Sequence, residues 1–188
     1  LLERLSSLHP GLRPRVILTQ SGSDAVTAAV KTAALHTGKP GLVAFEGAYH
    51  GLGYAPLAAC GLRESYRAPF AGQLNAHVRF APYPRAEADL DRSLEAVRKA
   101  LVESDAGALL VEPILGRGGV VVPPDRFLPA LADLCHERGA LLIADEIWTG
   151  LGRAGSMVRS STQNAQADIL RFGKGLGGGL PISACVAP

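Results

Sequence analysis

The sequence predicts an α/β fold, a three-layer αβα arrangement with a mostly parallel central sheet. Three observations predict it. Strand-like and helix-like segments alternate along the 188 residues. Several strand-like segments are apolar throughout, as strands buried on both faces of a helix-covered sheet are. Gln20-Ser21-Gly22, Glu112 and Asp145 stand where strands end, at the carboxyl edge where such sheets collect ligand groups.

The elements follow in order. Residues 1–8 read as the end of a helix, stopped by Pro10-Gly11. Residues 15–20 are a short β-branched run. Ser21-Gly22-Ser23-Asp24 then opens an alanine-rich helix to about His36, with Ser and Asp as capping residues. Residues 41–46 read as a second strand. Residues 47–76, rich in Gly, Pro and Ala, predict a long functional loop with short helical pieces. Residues 78–81 are a strand candidate. Leu90, Leu94, Val97 and Leu101 recur at helical spacing among charges. Residues 108–111 are a continuous apolar strand ending at Glu112-Pro113. Phe127, Leu128, Leu131, Leu134 and Cys135 form the stripe of a helix capped at Arg138-Gly139. Residues 140–144 form a strand ending at Asp145, and residues 169–172 and 183–186 are the last two strand candidates.

Composition narrows the classes. One domain of ordinary size fits the length, and a hydrophobic fraction of 47% is ample for a core. A formal charge of +2, from 19 basic and 17 acidic residues, favours neither nucleic acid nor an acidic membrane as partner. No run approaches the ~20 apolar residues of a membrane span. Charges at Glu3 and Arg4 stand where a signal peptide is apolar. Cys60, Cys135 and Cys185 are too scattered for a C-x-x-C pair and read as buried or free thiols, consistent with a cytoplasmic location. The chain starts at Leu1 inside a helix-like segment and stops at Pro188 after an apolar run, so both ends read as cut.

Three features carry chemistry. A strand entering Ser21-Gly22-Ser23 and then a helix is either an anion site, with free N–H groups and the helix dipole aimed at the ligand, or a plain turn with Ser as N-cap. Asp145 at the end of an apolar strand is costly unless paired; it either holds a proton on a cofactor ring nitrogen or serves as a cap or ion-pair partner. Lys174 follows a strand and sits among Gly173, Gly175, Gly177, Gly178 and Gly179, which leave room for a cofactor beside its amine. Burial there would lower its proton affinity and make it a nucleophile.

Other patterns are decoys. Gly150-Leu151-Gly152-Arg153-Ala154-Gly155 matches G-x-G-x-x-G, but residues 156–166 lack the apolar stripe of the helix that a dinucleotide site needs. The glycine run around Lys174 matches the same pattern trivially and fails as a P-loop. The five histidines show no metal-ligand spacing, so no metal is expected.

Five segments, taken in order, resemble the class III aminotransferases, pyridoxal phosphate (PLP) enzymes of fold type I. They are Ser21-Gly22-Ser23-Asp24-Ala25; Glu46-Gly47-Ala48-Tyr49-His50-Gly51; Val111-Glu112-Pro113-Ile114; Ala144-Asp145-Glu146-Ile147 with Gly150-Leu151-Gly152-Arg153; and the glycine-rich run of residues 173–179. The resemblance implies that Lys174 forms the Schiff base with pyridoxal 5'-phosphate and shuttles the substrate proton, while Asp145 partners the ring nitrogen. It implies that Ser21, Gly22 and Ser23 form the phosphate turn, that Tyr49 and Ile147 cover the two ring faces, and that Glu112 lies near substrate and ring. His50 either positions its loop or is a packed histidine. Two positions depart from the family pattern: Leu115 and Trp148 stand where Gln is common.

The resemblance further implies transfer of an amino group from an amino acid or ω-amino compound to a keto acid, by a homodimer in the full-length protein. Residues 1–14 would be a truncated N-terminal helix and linker. Residues 15–188 would be a partial PLP-binding large domain without its C-terminal small domain, so the isolated 188 residues are expected to show little activity. An aminomutase, racemase or decarboxylase of the same fold, or an inactive fragment, are the alternatives.

Overall fold

A computed structural model describes residues 1–188. Helix α1 (Leu2–Ser6) leads into strand β1 (Arg15–Thr19), helix α2 (Gly22–Thr37) and strand β2 (Gly41–Phe45). The long segment that follows holds α3 (Tyr54–Ala58), α4 (Glu64–Arg67) and a 3-10 stretch at Ala68–Gln73, the short helical pieces its composition predicts. Then come β3 (Val78–Ala81), α5 (Leu90–Glu103), β4 (Ala106–Val111), α6 (Phe127–Glu137), β5 (Leu141–Asp145), β6 (Ile169–Phe172) and β7 (Ser183–Ala187).

The seven strands form one sheet in the order β1-β7-β6-β5-β4-β2-β3. Strand β7 runs antiparallel to both β1 and β6, and the remaining pairs are parallel. With only β7 reversed, β1, β4, β5 and β6 all end at the same edge. The predicted fold class therefore holds, with one antiparallel strand inserted beside the edge strand β1.

Period-two alternation divides the core between the faces. Val43, Phe45, Leu109, Val111, Leu142, Ala144, Leu170 and Phe172 share one cluster with α5 and α6. Leu42, Ala44, Ala108, Leu110, Ile143, Ile169 and Cys185 share the other with Val26, Ala29 and Ala33 of α2. Phe45, Tyr83 and Phe127 meet edge to face, with centroids 5.3 to 5.6 Å apart, at the centre of the first cluster. The same alternation puts Glu112, Asp145 and Arg171 in phase with Leu110, Ile143 and Ile169, on the α2 side of the sheet.

The helix ends follow their sequence signals. Ser21 caps α2 by accepting from Asp24 N, and Gly38 closes it at φ 71. Gly139, at φ 62, follows α6 as predicted. After Gly150 no α-helix forms, only 3-10 turns at Ser160–Gln163 and Lys174–Gly177. Glu146, 1% exposed, fastens the first of these by accepting from Ser160 N, Ser160 Oγ and Thr149 Oγ1 at 2.7, 2.8 and 2.5 Å.

One packing constraint is severe. A Cβ at Gly41 would lie 1.9 Å from the Ser104 carbonyl oxygen, backbone that cannot swing aside, whereas a Cβ at Gly72 would meet nothing within 4 Å. Gly41→Ala is expected to cost about 1–3 kcal/mol or more in denaturant unfolding, and Gly72→Ala to stay within about 0.5 kcal/mol of the parent. Equal stability of the two variants would contradict the close approach of β2 to the turn before β4.

Candidate active site

The common edge of β1, β4, β5 and β6 opens on a cavity of about 1200 Å³. Gly22, Ser23, Tyr49, His50, Glu112, Asp145, Ile147 and Lys174 all line it. Of the predicted site residues, only Ser21 lies outside. Its hydroxyl is used locally, accepting from Asp24 N and donating to Asp24 Oδ2 at 2.8 Å. The first-turn N–H groups of Gly22 and Ser23 have no carbonyl one turn before them, so they remain available to an anion at the helix start.

Asp145 is 3% exposed and anchors the floor of the cavity. Its Oδ2 receives His50 Nδ1 at 2.6 Å and contacts the Arg171 guanidinium, and its Oδ1 accepts from Ile147 N at 3.2 Å. Burial alone would raise this carboxyl, but Arg171 and then His50 outweigh it and hold it well below the usual carboxylate range. Asp145 is thus an ion-pair partner as well as a cavity carboxylate. With Asp145 ionised, His50 donates from Nδ1, and its Nε2 is left buried without a partner.

Glu112 gathers three loops. Its Oε1 accepts from Tyr49 N at 2.8 Å, and its Oε2 accepts from Gly116 N at 3.0 Å and Trp148 Nε1 at 3.2 Å. Tyr83 Oη donates to the Glu112 carbonyl at 3.0 Å, tying the strand end to the aromatic core. Burial, with Asp145 nearby, pushes the Glu112 carboxyl above its ordinary value, while His50 and the two backbone N–H groups oppose that rise. Arg117 lies over the Tyr49 ring at 4.2 Å, close enough for a cation–π contact.

Two expectations change. Gly173 was read as leaving room for a cofactor, yet a Cβ there would reach Ile147 Cδ1 at 2.8 Å, and one at Gly22 would press on Ile147 at 3.3 Å. These glycines first make room for Ile147. Lys174, which burial would make a nucleophile, is exposed, and the space around Gly175, Gly178 and Gly179 is open, since added Cβ atoms there meet nothing within 4 Å. Its backbone is nevertheless constrained at φ 44. Val120 (φ 54) and Leu151 (φ 55) also line the cavity, so three of the non-glycine residues with positive φ border one site.

The donor set fits a flat, anionic, nitrogen-bearing cofactor. An ionised carboxylate, an unpartnered buried His50 Nε2, a helix start and a lysine amine all border one space. No three of His, Cys, Asp and Glu come close enough to share a metal ion. Burial pushes all three cysteine thiols up, Cys185 to about 11, so none is poised as a nucleophile. No helix is long and apolar enough to cross a membrane. Sequence reasoning missed Arg171. A charge inside the apolar run Ile169-Leu170-Arg171-Phe172 demands a buried partner and was the available signal.

The family model described as aminotransferase class-III matches residues 1–188. An acetylornithine aminotransferase of Mycolicibacterium smegmatis is 41% identical over 94% of this chain, and a putrescine aminotransferase of Pectobacterium atrosepticum is 38% identical over all of it. The chain spans 42% and 40% of those two enzymes. A solved PLP-bound amine transaminase from an uncultivated Pseudomonas species superposes with a TM-score of 0.90 at 30% identity, over 99% of this chain and 46% of that one.

Two outcomes test the site's electrostatics. Asp145, held below its ordinary value, contributes stability that is complete above about pH 4 and is lost as pH falls further. Asp145→Asn, which strands the buried Arg171 charge, is expected to cost about 3–5 kcal/mol at neutral pH and to flatten that acid limb. Glu112→Gln leaves an amide NH₂ facing N–H donors and is expected to cost about 1–3 kcal/mol. Urea melts between pH 3 and 7 measure both, and unchanged midpoints would contradict the contacts.

Proposed function

Because this chain belongs to the class-III aminotransferase family, we propose that the whole protein is a PLP-dependent aminotransferase that moves an amino group from an amino acid or ω-amino compound to a keto acid. The observation that carries the reading is the meeting, at one cavity, of a lysine after β6, an ionised carboxylate at the end of β5 and the free N–H groups at the start of α2. The names of the relatives, acetylornithine and putrescine aminotransferases, support a substrate amine remote from, or lacking, a carboxylate.

In this reading Lys174 Nζ would hold the cofactor and would move the proton at the substrate carbon that bears the amine. Asp145 would face the ring nitrogen as its acceptor. Gly22 and Ser23 N–H groups would hold the phosphate. Tyr49 and Ile147 would confine the ring, Glu112 fixes the Tyr49 backbone, and His50 steadies Asp145 through Oδ2. When bound, the cofactor supplies an electron sink for charge developing on the substrate carbon. Residues 15–188 act as the cofactor-binding domain of a cytoplasmic homodimer.

Addition of PLP to the whole protein is expected to produce a visible absorption band, absent in Lys174→Ala, with transamination reduced at least about 100-fold in that variant. A folded whole protein that gives no band, or a Lys174→Ala variant that keeps it, overturns the proposal.

A further inference from the structure

Arg171 is the largest fully buried side chain of the protein, 0% exposed in the middle of strand β6. It pairs in register with Asp145 of β5 on one side and Cys185 of β7 on the other. The helix face packed over these strands is that of α2, where the buried residues are Ala25, Val26, Ala29 and Ala33, none of them charged. A guanidinium in such a place costs several kcal/mol unless a counter-charge offsets it. The carboxylate it contacts is Asp145, through Nη2 and Oδ2. Nε and Nη1 reach no acceptor. The side chain is therefore held here through its one contact with Asp145.

The three groups on Asp145 divide its surroundings in two. Arg171 and His50 meet Oδ2, and the Ile147 N–H meets Oδ1. Asp145 and His50 line the cavity, whereas Arg171 does not. A base entering the cavity therefore meets the carboxylate where Arg171 is not part of the wall. Glu112, a second buried carboxyl group, lies on the cavity side.

From this geometry we infer that Arg171 is a positioning residue for the reaction: from behind Asp145 it keeps the carboxylate ionised and so keeps the shared proton on the ring nitrogen that docks there. The inference rests on the cofactor reading above. The physical reason is distance. A unit charge in contact with the carboxylate acts on it more strongly than on a base across it. Arg171 thus favours an ionised carboxylate facing a protonated base over a carboxyl group facing a neutral one. Without that charge, a buried ion pair in a low-dielectric site relaxes toward the neutral arrangement.

The test uses the whole protein carrying cofactor labelled with ¹⁵N at the ring nitrogen. Wild type and Arg171→Lys, which retains the charge, are expected to show the protonated-ring signal. Arg171→Met and Arg171→Gln are expected to shift it toward the position of the neutral ring. A signal in either neutral variant identical to that of wild type overturns the inference. Failure of the cofactor reading itself is seen separately, as a wild type with no visible band. A second measurement needs no cofactor: denaturant unfolding of Asp145→Asn, Arg171→Met and the double variant. The double variant is expected to be more stable than Asp145→Asn alone, since it removes the stranded charge. Losses that simply add would show that the two residues are not coupled and would overturn the inference as well.

Discussion

A single buried negative charge organises this molecule. Asp145 ends a strand whose every other residue packs into one of two apolar clusters, and a carboxylate there survives only with compensation. The compensation comes from three directions: a guanidinium on the neighbouring strand, an imidazole from the loop after β2, and a backbone N–H from the chain immediately following. Each partner belongs to an element that must be in place for the cavity to exist. Satisfying the charge and assembling the site are therefore the same event.

Glu112 applies the same logic one strand away, with hydrogen bonds in place of an ion pair. Its carboxylate collects N–H groups from Tyr49, Gly116 and Trp148, three segments far apart in sequence. A rigid strand end thus sets the shape of three loops at once. The Tyr83 hydroxyl, joined to the Glu112 carbonyl, links that strand end to the aromatic cluster under α6. Core packing and loop geometry are coupled through one residue, and the cavity takes its stiffness from the sheet, not from its own walls.

The elements were legible from sequence because their patterns have one physical reading. The stripe at Leu90, Leu94, Val97 and Leu101 fits only a half-buried helix, and the runs before Glu112 and Asp145 fit only strands covered on both faces. The direction of β7 was not legible, since an apolar strand buried on both sides reads the same either way. Of the site, the groups at strand ends were readable because a polar residue interrupting an apolar run is costly. Arg171 obeys the same rule and was passed over, because a lone charge inside a four-residue strand looks like an interruption of the strand instead of half of a pair. The glycines misled in a different way. Sequence shows that side chains are missing at Gly22 and Gly173, but not that Ile147 occupies the room they leave.

Trp148, which departs from the usual family residue, has its indole N–H shared between the Glu112 carboxylate and the Ile114 carbonyl, and lines the cavity. It is also the only tryptophan among these 188 residues. The chain's indole absorption and fluorescence therefore originate at the wall of the site, beside a carboxylate, and nowhere in the bulk of the core. An optical signal that in most proteins averages over the whole fold is, in this chain, a local measure of whether Glu112 still holds its loops together.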